Sequence, residues 1–209
     1  MDEIYQKILK SRIVAIVRGN MEVEKIIPLA KAVLKGGVDV IEVTCNSPGV
    51  MQMIEMLSSE MGSEMLIGAG TVTSVELASN VIKAGARFVV APDTNPDVVK
   101  FALENNIAVA PGAMTPTEIL NVKRLGAKMV KVFPAGVLGP KYIKSVRGPI
   151  NDFDIMATGG INLDNIEEFL NVGCAAFGIG SSLIKKDLVA TGNWDALTKL
   201  AADYVSRIN

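Results

Sequence analysis

Residues 35–44, KGGVDVIEVT, form a joint that recurs along the chain. A glycine stands where a helix C-terminal cap belongs, and a β-branched run follows at once. KAGARF (83–88), RLGAKM (124–129) and NVGCAA (171–176) repeat the pattern. Working outward, short apolar runs return about every twenty residues. They are RIVAIV (12–17), VDVIEVT (38–44), MLIGAG (65–70), RFVVAP (87–92), IAVAP (107–111), KMVKVF (128–133), DFDIMAT (152–158) and AAFGIG (175–180). Helical spacing fills the gaps between them. In 23–35, Val23, Ile26, Ile27, Ala30, Val33 and Leu34 make one stripe, and in 75–84 Leu77, Ala78, Val81 and Ile82 make another.

Strands alternating with helices imply a parallel sheet covered by helices. Eight units imply closure into a (β/α)8 TIM barrel, an α/β fold. Its usual length is about 250 residues, so 209 residues require tight loops. An open doubly wound sheet would carry a glycine fingerprint after its first strand, and RGNMEVE (18–24) lacks one. Residues 1–209 are expected to form a single barrel domain. Residues 2–10 are expected to add an N-terminal helix, and 194–208 a C-terminal one.

The chain is 49% hydrophobic with a net charge of −1. That excludes a disordered chain and gives no electrostatic reason to expect nucleic acid. No apolar run approaches the ~20 residues of a membrane helix, and the charged N-terminus has no signal-peptide core. Cys45 and Cys174 lie in apolar sequence and read as reduced core thiols of a cytoplasmic protein. Histidine is absent altogether. A general acid or base must then be Asp, Glu, Lys, Tyr or Cys. Imidazole zinc sites are excluded, and no metal is expected.

Alternation decides which strand residues face inward. In VDVIEVT, Val38, Val40, Glu42 and Thr44 share one face. In KMVKVF, Met129, Lys131 and Phe133 do. The opposite faces are aliphatic and suit the helices. Glu42 and Lys131 are therefore expected inside the barrel near the C-terminal ends of their strands, where barrel enzymes keep their chemistry. One reading is a structural ion pair, which costs desolvation. The other is catalytic. Burial lowers a lysine pKa and produces an amine that attacks a ketone, while a nearby carboxylate moves protons.

Other strand ends add polar groups. GAGTV (68–72) places Thr71 after strand three, with glycines that would let a ligand approach the backbone. Arg18 follows strand one, where a cation could bind an acid. Pro92 and Pro111 stiffen the rims after strands four and five. Thr115, Pro116 and Glu118 read as a capping box. ATGGINLDN (157–165) and FGIGSSL (177–183) put Gly159, Gly160, Gly180 and Ser181 after strands seven and eight, each leading into a helix. Freed backbone amides there form a phosphate site. The residues point to a Schiff-base enzyme acting on a phosphorylated keto compound.

The motifs GGVDVIEVT, IGAGTV, APGAMTPTE, KVFPA, TGGI and GIGSSL span nearly the whole chain. With them the sequence resembles the 2-keto-3-deoxy-6-phosphogluconate (KDPG) aldolases, a family that includes 4-hydroxy-2-oxoglutarate (KHG) aldolase activity. The resemblance implies that Lys131 forms the imine and Glu42 is the general acid/base, working with a water. It implies that Thr71 binds the pyruvyl carboxylate, that Pro92 and Phe133 line the pocket, and that Gly159, Gly160, Gly180 and Ser181 hold the phosphate. It further implies a homotrimer, no cofactor, and a phosphorylated keto sugar acid as substrate. Well-known members carry an arginine two residues after EVT, where this chain has Asn46. EVTCNSP is closer there to the sister group acting on the galactonate epimer, which has an arginine after strand one. Arg18 is thus expected to take over the carboxylate contact, beside Asn46. The mixed motif leaves the C4 epimer open. Two other readings keep the barrel: a phosphosugar isomerase or epimerase using Glu42 without an imine, and a catalytically silent metabolite-binding regulator.

Overall fold

The computed structural model describes residues 1–208. Its first half runs α1 (Asp2–Ser11), β1 (Ile13–Val17), α2 (Ile26–Lys35), β2 (Val40–Thr44), α3 (Val50–Met61), β3 (Leu66–Gly70), α4 (Val75–Lys83), β4 (Phe88–Val90) and α5 (Pro96–Glu104). The second runs β5 (Ala108–Ala110), β6 (Gly112–Ala113), α6 (Pro116–Arg124), β7 (Met129–Val132), α7 (Ala135–Arg147), β8 (Asp154–Thr158), α8 (Ile166–Asn171), β9 (Ala176–Ile179), α9 (Lys186–Thr191) and α10 (Trp194–Ile208). Each of the eight apolar runs supplies strand. The fifth is split at Pro111, which has no N–H to give to a ladder.

The glycine joints fold as the pattern predicts. Gly37, Gly85, Gly126 and Gly173 all have φ between 91° and 108°, where a side chain would be strained. In three of them the next N–H closes the cap on a carbonyl five residues back: Val38 on Val33, Ala86 on Val81 and Cys174 on Phe169. The predicted helix 23–35 opens with a 3-10 turn, Val23–Lys25, before α2 begins. Pro28 lies in the first turn of α2, where its missing N–H costs nothing.

All strand pairs are parallel, in the order β5-β4-β3-β2-β1-β9-β8-β7-β6. Because β5 and β6 are two pieces of one run, the sheet returns on itself as a (β/α)8 barrel. β6 closes onto β7, with Gly112 opposite Lys131. Lys131 N–H donates to Pro111 O at 2.8 Å, and Phe133 N–H to Ala113 O at 3.1 Å. β5 pairs with β4 on one edge. On its other edge the Tyr5 hydroxyl takes the Val109 N–H at 3.0 Å and donates to the Val109 carbonyl at 2.9 Å. The N-terminal helix thus seals the seam.

The core has two layers. Ile41, Val43, Ile67, Val130, Val132 and their equivalents pack between sheet and helices. Inside the barrel, Val14, Val40, Leu66, Phe88, Met129 and Met156 close the lower end together with Tyr5 and Ile8 of α1. That apolar plug leaves the strands' C-terminal ends for polar groups. No helix among the described residues is long and apolar enough to cross a membrane.

Candidate active site

β2 and β7 are four strands apart in either direction around the barrel, so their inward side chains face each other across the interior. Alternation with aliphatic neighbours turns Glu42 and Lys131 inward, as the pattern predicts. Glu42 is 0% exposed and Lys131 1%. Neither carboxylate oxygen of Glu42 has a hydrogen-bond partner. Among the described residues no ion pair within 4.0 Å involves either group. The structural ion pair that the sequence left open is therefore not formed. Burial raises the Glu42 carboxyl above the ordinary range, against the pull of Lys131 and Arg18. Burial lowers the Lys131 ammonium, with Glu42 opposing and Arg18 reinforcing. The amine lies 5.2 Å from the Phe133 ring centroid.

The space for Glu42 comes from β3. A Cβ on Gly70 would lie 2.3 Å from Glu42 Oε1, and one on Gly68 would lie 2.3 Å from the Phe88 ring. The expectation that these glycines admit a ligand is corrected: they admit two side chains of the barrel itself. Thr71, the next residue, is half-buried with φ 58°. A β-branched residue there is strained, a feature that clusters at functional sites.

Gly159, Gly160, Gly180 and Ser181 come together as expected. They line one cavity of about 470 Å³ with Phe133 and Thr158. Arg18 lines that cavity, and its charge reaches both Glu42 and Lys131. Asn46 is exposed on the loop after β2, and neither it nor Thr71 lines this cavity. Pro92 and Phe133 share a second cavity of about 540 Å³ with Glu118. Thr115 and Glu118 form the predicted capping box of α6.

Sequence reasoning missed three contributors. Thr158 is 4% exposed, and its Oγ1 has no partner. Gly178 makes room for it, since a Cβ there would come within 2.5 Å of that oxygen. Continuing the alternation from Asp154 through Met156 would have found it. Ser47 accepts the Gly19 N–H at 3.0 Å and lies 3.0 Å from Thr44 Oγ1, tying the loop after β1 to the end of β2. Lys186, at the start of α9, reaches the cavity rim. Among the described residues no cluster of His, Cys, Asp and Glu could hold a metal ion.

The amine and the carboxylate have each lost water without gaining a partner, which favours proton traffic and attack on a carbonyl. The class so defined is that of lysine-dependent carbon–carbon lyases. The family model for KDPG and KHG aldolase matches residues 4–200, and the chain belongs to that family. It is 33% identical to the 2-dehydro-3-deoxy-6-phosphogalactonate aldolase of Escherichia coli K12, over 84% of this chain and 86% of that one. It is also 33% identical to the 2-dehydro-3-deoxy-phosphogluconate aldolase of Haemophilus influenzae, over 99% and 97%. Among solved structures, the KDPG aldolase of Legionella pneumophila superposes with a TM-score of 0.87 at 31% identity, over 93% of this chain and 95% of that one. That structure holds pyruvate captured as a covalent carbinolamine intermediate.

Proposed function

We propose that the chain cleaves 2-keto-3-deoxy-6-phosphogluconate or its galactonate epimer to pyruvate and glyceraldehyde 3-phosphate, and 4-hydroxy-2-oxoglutarate to pyruvate and glyoxylate. The observation that carries this is Lys131, buried inside the barrel without an ion pair and facing a buried, unpartnered Glu42. Lys131 Nζ adds to the C2 ketone, giving a carbinolamine that loses water to an iminium. Glu42, working with a water, takes the proton of the C4 hydroxyl. The C3–C4 bond breaks, its electrons move into the iminium as an enamine, and C4 leaves as the aldehyde. Protonation at C3 and hydrolysis release pyruvate and restore the amine. Thr71, Arg18 and Asn46 hold the pyruvyl carboxylate, while Pro92 and Phe133 shape the pocket. Gly159, Gly160, Gly180 and Ser181 take the phosphate through backbone amides and a hydroxyl.

The isomerase and silent-regulator readings have no such support, since the relatives named above are aldolases. A homotrimer in the cytoplasm completes the proposal. Exposed apolar side chains at Met114 and Val137 support the first part, and the free thiols Cys45 and Cys174 are consistent with the second.

The deciding experiment is incubation with pyruvate and borohydride, followed by peptide mass spectrometry. A reduced pyruvyl adduct on Lys131 is expected. A folded protein that yields no adduct, or one on another lysine, overturns the proposal.

A further inference from the structure

The residues assigned above to the phosphate are neutral donors. Such donors favour an anion but separate a dianion from a monoanion weakly; full charges do that better. The cavity that holds them has two cations on its rim, Arg18 and Lys186, and no acidic residue among its lining. Neither side chain makes an ion pair or hydrogen bond among the described residues. Nearby Lys25, by contrast, is occupied by Glu22 at 3.2 Å and the Ala190 carbonyl at 3.1 Å.

Both free cations are exposed, but they differ in what they act on. Arg18 acts on both Glu42 and Lys131, whereas Lys186 contributes to the titration of neither. Lys186 is brought to the cavity by the turn after β9. There Leu183 N–H and Ile184 N–H both donate to Gly180 O, at 2.9 and 2.8 Å. That turn carries the chain from the glycine and serine of the cradle directly to Lys186. Arg18, Ile184 and Lys186 also line an adjoining cleft of about 610 Å³, so both cations stand between the two spaces.

We propose that Lys186 is a specificity-determining residue: its charge selects substrates ending in a phosphate dianion over those ending in a carboxylate. This rests on the aldolase reading and adds to it a choice between its two substrate classes. An exposed ammonium on a bound dianion is worth on the order of tenfold in affinity. The gain falls on the distal group of the substrate and leaves the bond-breaking step alone.

The test compares wild type, Lys186→Gln and Lys186→Arg on 2-keto-3-deoxy-6-phosphogluconate and on 4-hydroxy-2-oxoglutarate. The Gln variant is expected to raise KM for the phosphorylated substrate about tenfold with kcat nearly kept. Its kcat/KM for the unphosphorylated acid should change less than about twofold. Arginine should recover most of the loss, and inorganic phosphate should inhibit the Gln variant more weakly than wild type. An equal fall on both substrates, or no change on either, overturns the inference while leaving the aldolase intact. A wild-type protein that cleaves neither of these substrates nor the galactonate epimer sinks both readings together.

Discussion

At the scale of the residue, Lys131 is a liability to the fold. A desolvated ammonium without an ion pair destabilises the native state, and that penalty is present in full below its folded pKa. The folded pKa lies under the ordinary 10.5, so the unfolded chain holds its proton longer as pH rises. The penalty therefore shrinks between the folded value and 10.5. Lys131→Met should raise stability by about 1–4 kcal/mol at pH 7, with a smaller gain at pH 10, while abolishing the borohydride adduct. Urea titrations at the two pH values check it. A variant less stable than wild type would show that the amine supports the fold. This residue and Glu42 were legible because charge interrupts aliphatic alternation. Thr158 was not, because a threonine in a strand raises no alarm. Arg18 was found, but its place between the cradle and the amine depends on the loop after β1, which sequence periodicity does not describe.

At the scale of the element, the joints carried most of the fold. Four glycines each mark a left-handed cap and the start of a strand, and with the recurring apolar runs they let eight strands be counted. Two joints lack the glycine, because Arg12 and Asn106 take the left-handed position with φ 58° and 57°; at the second, Ile107 N–H closes the cap on Ala102. The split of the fifth strand at Pro111 was also out of reach, since the register on its two sides is set by β4 and β7. β3 serves β2 by omission: Gly70 has no Cβ where Glu42 needs room. Gly70 has no positive φ, so alanine suits its backbone, and the sharpest conflict is with the Glu42 carboxylate, with Thr44 Cγ2 next at 3.1 Å. Gly70→Ala should keep the circular dichroism spectrum and lower kcat/KM about 100-fold by displacing that group. Wild-type turnover in a folded Gly70→Ala protein would remove Glu42 from the proposed chemistry.

At the scale of the whole molecule, the barrel is divided between an apolar lower end and a polar upper one. The division follows from alternation, and it was readable. What faces other molecules was not, because exposure depends on how the helices lie over the sheet. Val137 is 81% exposed and Met114 46%. The Tyr142 hydroxyl bonds the Met114 carbonyl and holds that loop to α7. These side chains fit a surface covered in an oligomer. Sedimentation equilibrium should give three chain masses, and Val137→Asp should shift the population toward one. A wild-type protein at a single chain mass would remove the homotrimer from the proposal. The seam sealed by Tyr5 has a consequence for the order in which the molecule is made. Tyr5 and Val109 are 104 residues apart. Their contact closes a long loop, and such contacts are slow to form. On the ribosome α1 emerges before every strand of the barrel, yet it has no seam to seal until β5 and β7 have followed it out. A helix made before all the strands is thus among the last elements to reach its final place. Until then the barrel's apolar floor is open to water and to neighbouring chains.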